Sequence, residues 1–226
     1  MLSNIFNYDN PVWRFMGKFC DILLLNILWT LCSVPIVTIG ASTTAVYYVT
    51  LKLVRDEEGP TVRSFFRSFK ENFKQATVIW LILLVAGLLI GFDLYFFLML
   101  RTGASAFRTV MVAIFGAFAL IYLFIALFIF PLQARFYNSV KRTFLNAFFV
   151  SVRHCFHSLG LIGIDIALPL VALFFLPILQ PILFLFGFPL VAFINSFAIV
   201  GVFDKYMPKE EEPEETELPE QGQPLI

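Results

Sequence analysis

Carboxylates inside apolar stretches are the residues best suited to chemistry in this chain. Asp93 and Asp165 each stand within a long apolar run, and Asp21 stands near the start of another. A charge at mid-depth in a bilayer costs about 2.5–3.5 kcal/mol on insertion scales, so such side chains are functional candidates by default. They could relay a proton or a cation, or contact a polar substrate. The alternative is a protonated carboxyl that hydrogen-bonds to a neighbouring helix or reaches an interface.

Two asparagines lie in the same kind of surroundings. Asn26 and Asn195 are flanked by apolar residues. In lipid, side-chain amides of this kind hold helices together by hydrogen bonds between them. We interpret both as structural residues first, with a functional polar contact as the alternative.

The remaining reactive side chains indicate neither a metal site nor an enzyme. His154 and His157 are three residues apart, a spacing that can hold a metal, but no carboxylate lies within a turn of them. Cys20, Cys32 and Cys155 have no C-x-x-C spacing and so predict neither a disulfide nor a metal framework. Nucleophile-elbow, phosphate-loop and zinc-protease motifs are absent from the sequence. We expect a protein that is not an enzyme and uses no cofactor.

The composition is that of an integral membrane protein. Apolar residues make up 59% of the chain and charged residues 14%, against about 45–50% and about 25% in soluble domains. The apolar residues form blocks of about 17–25 residues, the length that crosses a hydrocarbon layer about 30 Å thick. The predicted fold is an all-α polytopic membrane protein with about six spans. The predicted spans are residues 18–34, 36–54, 76–100, 108–131, 159–179 and 182–203.

Prolines and small residues mark where these spans begin and end. Pro35 lacks an N–H and disfavours helix in the residue before it, so the first span should end there. Small residues at 40–45 would let the second helix approach its neighbours closely. Because the apolar part of 36–54 is short, a re-entrant segment is the alternative to a full span. Gln180 and Pro181 are predicted to join the last two spans.

Segment 61–75 has a basic face and an aromatic face, which is typical of a helix lying in the membrane interface. Its rings recur every four residues and its cations every three or four. The predicted partner-docking or lipid-binding residues are Arg63, Phe65, Phe66, Arg67, Phe69, Lys70, Phe73 and Lys74. Residues 139–158 repeat this design. They set Phe144, Phe148, Val152 and Phe156 opposite Arg142, Asn146, Arg153 and His157. The sequence therefore predicts two interfacial amphipathic helices. Membrane spans flank both helices so closely that we expect no nucleic-acid binding.

The charge distribution predicts the topology. Residues 209–226 carry seven Glu and one Lys, so residues 207–226 are expected to be a disordered acidic tail on a single transmembrane domain, residues 1–206. With six spans, one side of the membrane receives fourteen Lys and Arg and the other side only Arg101 and Arg108. Cytoplasmic loops carry this excess. We expect a multi-pass protein of the plasma membrane with both termini in the cytoplasm.

The N-terminal third resembles the YesL-like family, small integral membrane proteins found mainly in Gram-positive bacteria and catalogued as a domain of unknown function. The resemblance is dense over residues 13–80 and limited to hydropathy over residues 81–206. A Pro-x-x-Thr-x-Gly element falls on Pro35, Thr38 and Gly40, and a Phe-Lys-x-Asn-Phe element falls on residues 69–73. The family offers no catalytic residues to carry over.

The resemblance also implies a biological context. Members of the family often accompany genes for carbohydrate-uptake ABC transporters and for polysaccharide breakdown. This implies an accessory or regulatory role in carbohydrate uptake, with an ABC-type sugar permease as the partner. Association with further copies of the same chain, as a homo-oligomer, is an alternative to this partner. The alternative function is a small secondary transporter that uses the intramembrane carboxylates Asp93 and Asp165.

Overall fold

A computed structural model describes residues 11–57, 59–99, 105–174 and 179–205. In this part of the chain every regular element is helical, which confirms the all-α prediction. The elements are α1 (Pro11–Ser33), a 3-10 turn (Ile36–Thr38), α2 (Ile39–Val54), α3 (Thr61–Met99), α4 (Ser105–Arg135), α5 (Val140–Arg153), α6 (Cys155–Phe174) and α7 (Leu179–Phe203). The predicted acidic tail and the turn that contains Arg101 lie outside the described residues.

The helices confirm a polytopic membrane protein. Within the described ranges, five helices are long and apolar enough to cross a membrane. A sixth span is obtained when α5 and α6, which meet at a bend of 99°, are counted together. Residues 36–54 are among the five, and 61% of that stretch is buried inside the protein. The second span is therefore surrounded by other helices more than by lipid.

The turn between α1 and α2 is built by Pro35 and Thr38. Helix α1 ends at Ser33, two residues before the proline, as predicted. The Thr38 hydroxyl lies 2.6 Å from the carbonyl oxygen of Cys32 and 2.7 Å from that of Pro35. The last carbonyls of a helix lack partners within the helix. Thr38 therefore supplies the donor that the end of α1 needs.

Gly40 lets α2 lie directly against α3. A Cβ atom at residue 40 would stand 2.4 Å from the carbonyl oxygen of Ala76 and 2.5 Å from the Cβ of Trp80. The neighbouring small residues of α2 are also buried. The Trp80 indole N–H donates to the carbonyl oxygen of Ile36 at 2.8 Å and fixes the hairpin turn to the middle of α3.

Helix α3 is one continuous helix, and this corrects the predicted boundary at residue 75. Its 39 residues extend about 58 Å at about 1.5 Å per residue, roughly twice the thickness of the hydrocarbon layer. No Gly or Pro stands between residues 61 and 86 to interrupt it. Segment 61–75 is therefore the first part of a long helix and not a separate interfacial helix.

The two ends of α3 have different neighbours. Its first half packs against α1 and α2 up to the hairpin turn at Trp80. Beyond that level it packs against α4, where Gly87 faces Tyr122 and the Phe97 ring stacks on Phe115 at 5.6 Å. The α3–α4 hairpin thus reaches well past the α1–α2 hairpin, and its outer surface is apolar and exposed, as lipid contact requires.

Polar contacts gather three chain segments at one end of the bundle. Lys18 of α1 pairs with Asp56 at 2.7 Å, and Arg55 pairs with Asp204 after the end of α7. The start of α1, the α2–α3 turn and the end of α7 are therefore neighbours. This agrees with an even number of crossings between them.

Helix α5 is the separate amphipathic helix that the sequence predicts at 139–158, but it packs by a different face. Its buried residues are Thr143, Ala147, Val150 and Ser151. In the predicted apolar row, Phe144 and Phe148 are half-buried, whereas Val152 and Phe156 are exposed. Small side chains allow α5 to approach α4 closely, and this turns much of the apolar row outward.

The last two helices also differ in detail from the prediction. Gln180 and Pro181 lie within α7 and do not form the joint. The break in α7 comes at Gly187, whose φ of 43° and ψ of −141° are not helical. Helix α4 continues through Pro131 to Arg135, four residues beyond the predicted end of its span.

Candidate functional site

Asp165 and Asn195 meet between α6 and α7. The Asn195 side-chain amide donates a hydrogen bond of 2.8 Å to Oδ1 of Asp165. Asn195 is buried, and its Oδ1 has no hydrogen-bond partner within the described residues. Asp165 is half-buried and lines a partly open pocket between the helices, which we call the cavity. Both residues were candidates from the sequence, and the structure brings them into direct contact.

The cavity beside Asp165 has a volume of about 350 Å³ and lies at the level of the middle of α3. Six helices contribute to its wall, and most of the wall is aliphatic or aromatic. The lining residues that matter chemically are Trp29, Thr43, Tyr47, Trp80, Asp165 and Phe188. A largely apolar cavity with a few convergent polar groups is the usual form of a small-molecule site.

The aromatic side chains of the cavity are held in place by the protein itself. The Trp29 indole N–H donates to the Thr43 hydroxyl at 3.3 Å, and the indole of Trp80 is fixed to the backbone as described above. The Trp29 ring stacks on Phe188 with centroids 5.2 Å apart, and Tyr47 meets Phe188 edge-on at 5.9 Å. These rings therefore present fixed surfaces to the cavity.

Gly187 and Asn26 position Phe188 in this wall. The break at Gly187 requires a positive φ, which side chains with a Cβ rarely adopt. A Cβ there would also stand 2.5 Å from Oδ1 of Asn26, which is buried on α1. Asn26 is thus packed against the break in α7, a structural position next to the candidate site.

The other two carboxylates lie elsewhere. Asp21 accepts a hydrogen bond of 2.6 Å from the hydroxyl of Thr61, the first residue of α3, at the end of the bundle. This bond joins α1 to the start of α3, where a negative charge is also favoured by the helix dipole, so we interpret the role of Asp21 as structural. Asp93 lies 13 residues beyond Trp80 on α3, or about 20 Å along the helix. The structure therefore does not bring Asp93 and Asp165 together.

Asp165 has no basic partner in the described part of the chain. The ion pairs found there join Lys18 to Asp56, Lys52 to Glu57, Arg55 to Asp204 and Arg67 to Glu71. All of them lie outside the cavity. A carboxylate in an apolar cavity therefore has an amide as its hydrogen-bonding partner and no cation.

The predicted docking residues of α3 divide into two groups. Phe65 is completely buried and Phe69 is half-buried, so these rings pack inside the protein instead of reaching lipid. The exposed group forms one surface, which we call the basic face. It consists of Arg63, Phe66, Arg67, Lys70, Phe73 and Lys74.

One buried polar network was missed by sequence reasoning. The Gln133 side-chain amide on α4 donates to Asn72 at 3.1 Å and to Gln75 at 2.8 Å, both on α3. Its oxygen accepts a hydrogen bond from Thr143 of α5 at 3.3 Å. The available signal was a single glutamine in the apolar stretch after Pro131. The network explains the asparagine of the Phe-Lys-x-Asn-Phe element as a contact between helices.

The two histidines do not form part of a larger cluster. The rings of His154 and His157 are 6.0 Å apart. Within the described ranges, no group of three or more His, Cys, Asp or Glu side chains is placed to hold a metal ion.

Comparison with known proteins points to the same N-terminal region. The family profile described as "Protein of unknown function, DUF624" matches residues 22–94. These residues include the α1–α2 hairpin, the Gly40 contact and most of α3. No solved structure matches the chain.

A curated relative also matches. It is "Uncharacterized protein YesL" of Bacillus subtilis (strain 168), 26% identical over 144 residues, covering 60% of this chain and 66% of the relative. The chain thus spans about two thirds of the length of this relative. Both comparisons confirm the predicted resemblance to the YesL-like family, most directly over residues 22–94.

Proposed function

We propose that this protein is a non-enzymatic accessory or regulatory partner of a carbohydrate-uptake system in the plasma membrane. The observation that supports the proposal best is the basic face of α3. Its four cations are exposed on a helix that continues without a break into an apolar span, and one of them, Arg67, pairs with Glu71 of the same helix. A partner that binds this face would bind a rigid extension of a membrane helix.

The chemistry of the basic face suits an acidic partner surface. Phe66 and Phe73, 39% and 38% exposed, stand among the cations as apolar anchors. Aromatic anchors surrounded by polar residues are typical of binding hot spots. The family context favours an ABC-type sugar permease as that partner. Anionic lipid headgroups would also match the charge, so the experiment must distinguish a protein partner from lipid.

The test is partner recovery with two matched variants. One variant replaces Arg63, Arg67, Lys70 and Lys74 with Gln, and the other exchanges Arg for Lys and Lys for Arg at the same positions. Tagged protein is crosslinked mildly in cells grown on plant polysaccharide and recovered for mass spectrometry. We expect the native protein and the charge-preserving variant to recover an ABC permease or its solute-binding protein, and the Gln variant to lose it.

The membrane level of each variant serves as the control. If the Gln variant recovers the same permease at an unchanged membrane level, the docking proposal is wrong. If the native protein recovers only itself, the accessory role is wrong and autonomous transport becomes the better explanation.

A second candidate function is a small secondary transporter, favoured by the carboxylate that lines the cavity. Because Asp93 is about 20 Å away along α3, the structure supports Asp165 alone as the transport residue. In proteoliposomes, Asp165→Asn should stop solute or proton flux, whereas Asp93→Asn should leave it unchanged. Liposomes that remain silent across a broad solute panel would count against this function.

A further inference from the structure

We infer that the cavity at Asp165 binds a small organic cation, such as a quaternary ammonium or a protonated amine. The inference concerns a ligand site in a partly open pocket between the helices and goes beyond the docking role of the basic face. It depends on three observations: the unpaired carboxylate, the fixed aromatic wall, and the scarcity of polar groups in the cavity.

The first observation is that Asp165 has no cationic partner in the described part of the chain. Asn195 occupies Oδ1 of Asp165, but an amide donor does not neutralise a carboxylate. Within the described residues, no Lys, Arg or His forms an ion pair with Asp165. In surroundings of low polarity, a carboxyl group without a cation either stays protonated or gains a positive partner. A cationic ligand would supply the missing charge.

The second observation is the aromatic wall. Trp29, Tyr47, Trp80 and Phe188 line the same cavity as the carboxylate. Organic cations are attracted to the faces of aromatic rings within about 6 Å, most strongly to Trp, and this is how quaternary ammonium groups are recognised. Both indole N–H groups already donate within the protein. The tryptophans therefore offer ring surface and no hydrogen-bond donor.

The third observation excludes other ligand classes. Thr43, Tyr47 and Asp165 are the polar side chains that matter in the wall, and the Thr43 hydroxyl already accepts a bond from Trp29. A hexose brings about five hydroxyls, most of which would stay unpaired at a cost of about 1–3 kcal/mol each. Ca²⁺ and Mg²⁺ need about six oxygen ligands, more than this wall provides, and Zn²⁺ prefers His and Cys ligands, which are not among its lining residues. An organic cation needs one anion and apolar surface.

The test compares the binding of choline and of 3,3-dimethyl-1-butanol (dimethylbutanol below) to the purified full-length protein. Dimethylbutanol is the neutral isostere of choline, in which a carbon atom replaces the nitrogen. Binding is measured by titration calorimetry in detergent and repeated in lipid nanodiscs. We expect saturable choline binding and at least about tenfold weaker binding of the isostere, because only the charged ligand gains the cation–π and carboxylate terms. Glucose is titrated in parallel and should not bind.

Two variants locate the site. Asp165→Asn should weaken choline binding by about tenfold or more. Asp93→Asn removes a second carboxylate from an apolar helix, about 20 Å along α3 from Trp80. This variant should leave choline binding unchanged. Should Asp165→Asn fail to fold, the comparison of the two isosteres on the native protein still tests selection of the cation, and Trp29→Leu, which removes a ring from the cavity wall, tests the location and should weaken choline binding.

Three results would overturn the inference. They are equal binding of choline and dimethylbutanol, absence of saturable choline binding, and either saturable binding of glucose in place of choline or unchanged choline binding by folded Asp165→Asn. The measurement uses the isolated protein, so its outcome is independent of partner recovery through the basic face. Loss of one proposal therefore does not decide the other.

Discussion

At the scale of single residues, the Pro-x-x-Thr-x-Gly element has a separate physical role for each of its members. Pro35 ends α1, Thr38 satisfies the last carbonyls of that helix, and Gly40 lets α2 touch the backbone of α3. Only the glycine is required by space alone. It should be the least replaceable of the three.

Replacing Gly40 with Ala should destabilise the protein by about 1–3 kcal/mol, the usual effect of overpacking. The added methyl group would collide with the Ala76 carbonyl oxygen, a backbone atom that cannot move aside. Thermal unfolding in detergent, followed by tryptophan fluorescence, measures the change.

Gly91→Ala is the matched control, because it also adds a methyl group to a helical glycine but meets no atom within 4 Å. It should be neutral or stabilising by up to about 1 kcal/mol, since Ala is favoured over Gly inside helices. Equal melting temperatures for the two variants would contradict the assigned role of Gly40.

Some of the candidate site can be predicted from residue types, and some cannot. Asp165 and Asn195 stand out in apolar surroundings, so hydropathy alone selects them. Their contact depends on how α6 and α7 rotate against each other, which no local pattern specifies. The same holds for Trp29 and Trp80. In the sequence they look like ordinary apolar residues, and only the packing of the helices makes them part of the cavity wall.

At the scale of elements, α3 shows how a change of pattern differs from a break in structure. The sequence changes from amphipathic to uniformly apolar near residue 75, and this suggests two elements. A helix ends, however, only where the backbone is interrupted or a better partner exists, and residues 61–86 contain neither Gly nor Pro. The distribution of polar and apolar residues around a helix indicates what surrounds the helix, but it does not indicate where the helix ends.

The Gln133 network is expected to hold α4 and α5 against α3. Gln133→Leu keeps the volume but leaves Asn72, Gln75 and Thr143 without this partner. Thr143 keeps its bond to the Ser139 carbonyl oxygen, and Gln75 is exposed, so the half-buried side-chain oxygen of Asn72 is the group left unpaired. A group of this kind costs about 1–3 kcal/mol, so the melting temperature should fall. Gln75→Leu is the control: Gln75 is exposed, water replaces its lost bond, and a smaller change is expected. A larger effect of Gln75→Leu would contradict the network.

At the scale of the whole molecule, hydropathy predicts the approximate number of spans, but it does not predict how far one helical hairpin extends past another. Five of the six predicted apolar blocks fall in helices long and apolar enough to span, and the remaining block, 159–179, begins in α6, which meets that test only together with α5. That the α1–α2 turn meets only the middle of α3 depends on one close contact at Gly40 and one hydrogen bond from Trp80. Such contacts join residues 36 to 44 positions apart and leave no trace in a local window.

The meeting of α1, α2 and α7 at one end can be tested by crosslinking. In a variant without native cysteines, Arg55→Cys with Asp204→Cys should be joined by a short bismaleimide. The fragments should stay together after cleavage at a protease site inserted at residue 103. The pair Arg55→Cys with Phe107→Cys should not be joined, since Phe107 packs on Phe97, about 54 Å from the start of α3. The reverse result would overturn the arrangement.

The grip of α2 on the middle of α3 has a mechanical consequence. The half of α3 before Trp80 is packed against α1 and α2, and its Phe65 is completely buried. The half after Trp80, roughly 29 Å long, packs against α4. Bending of α3 is therefore expected beyond Trp80, where a bend of about 10° would displace the far end of the helix by about 5 Å and leave the cations of the first half in place.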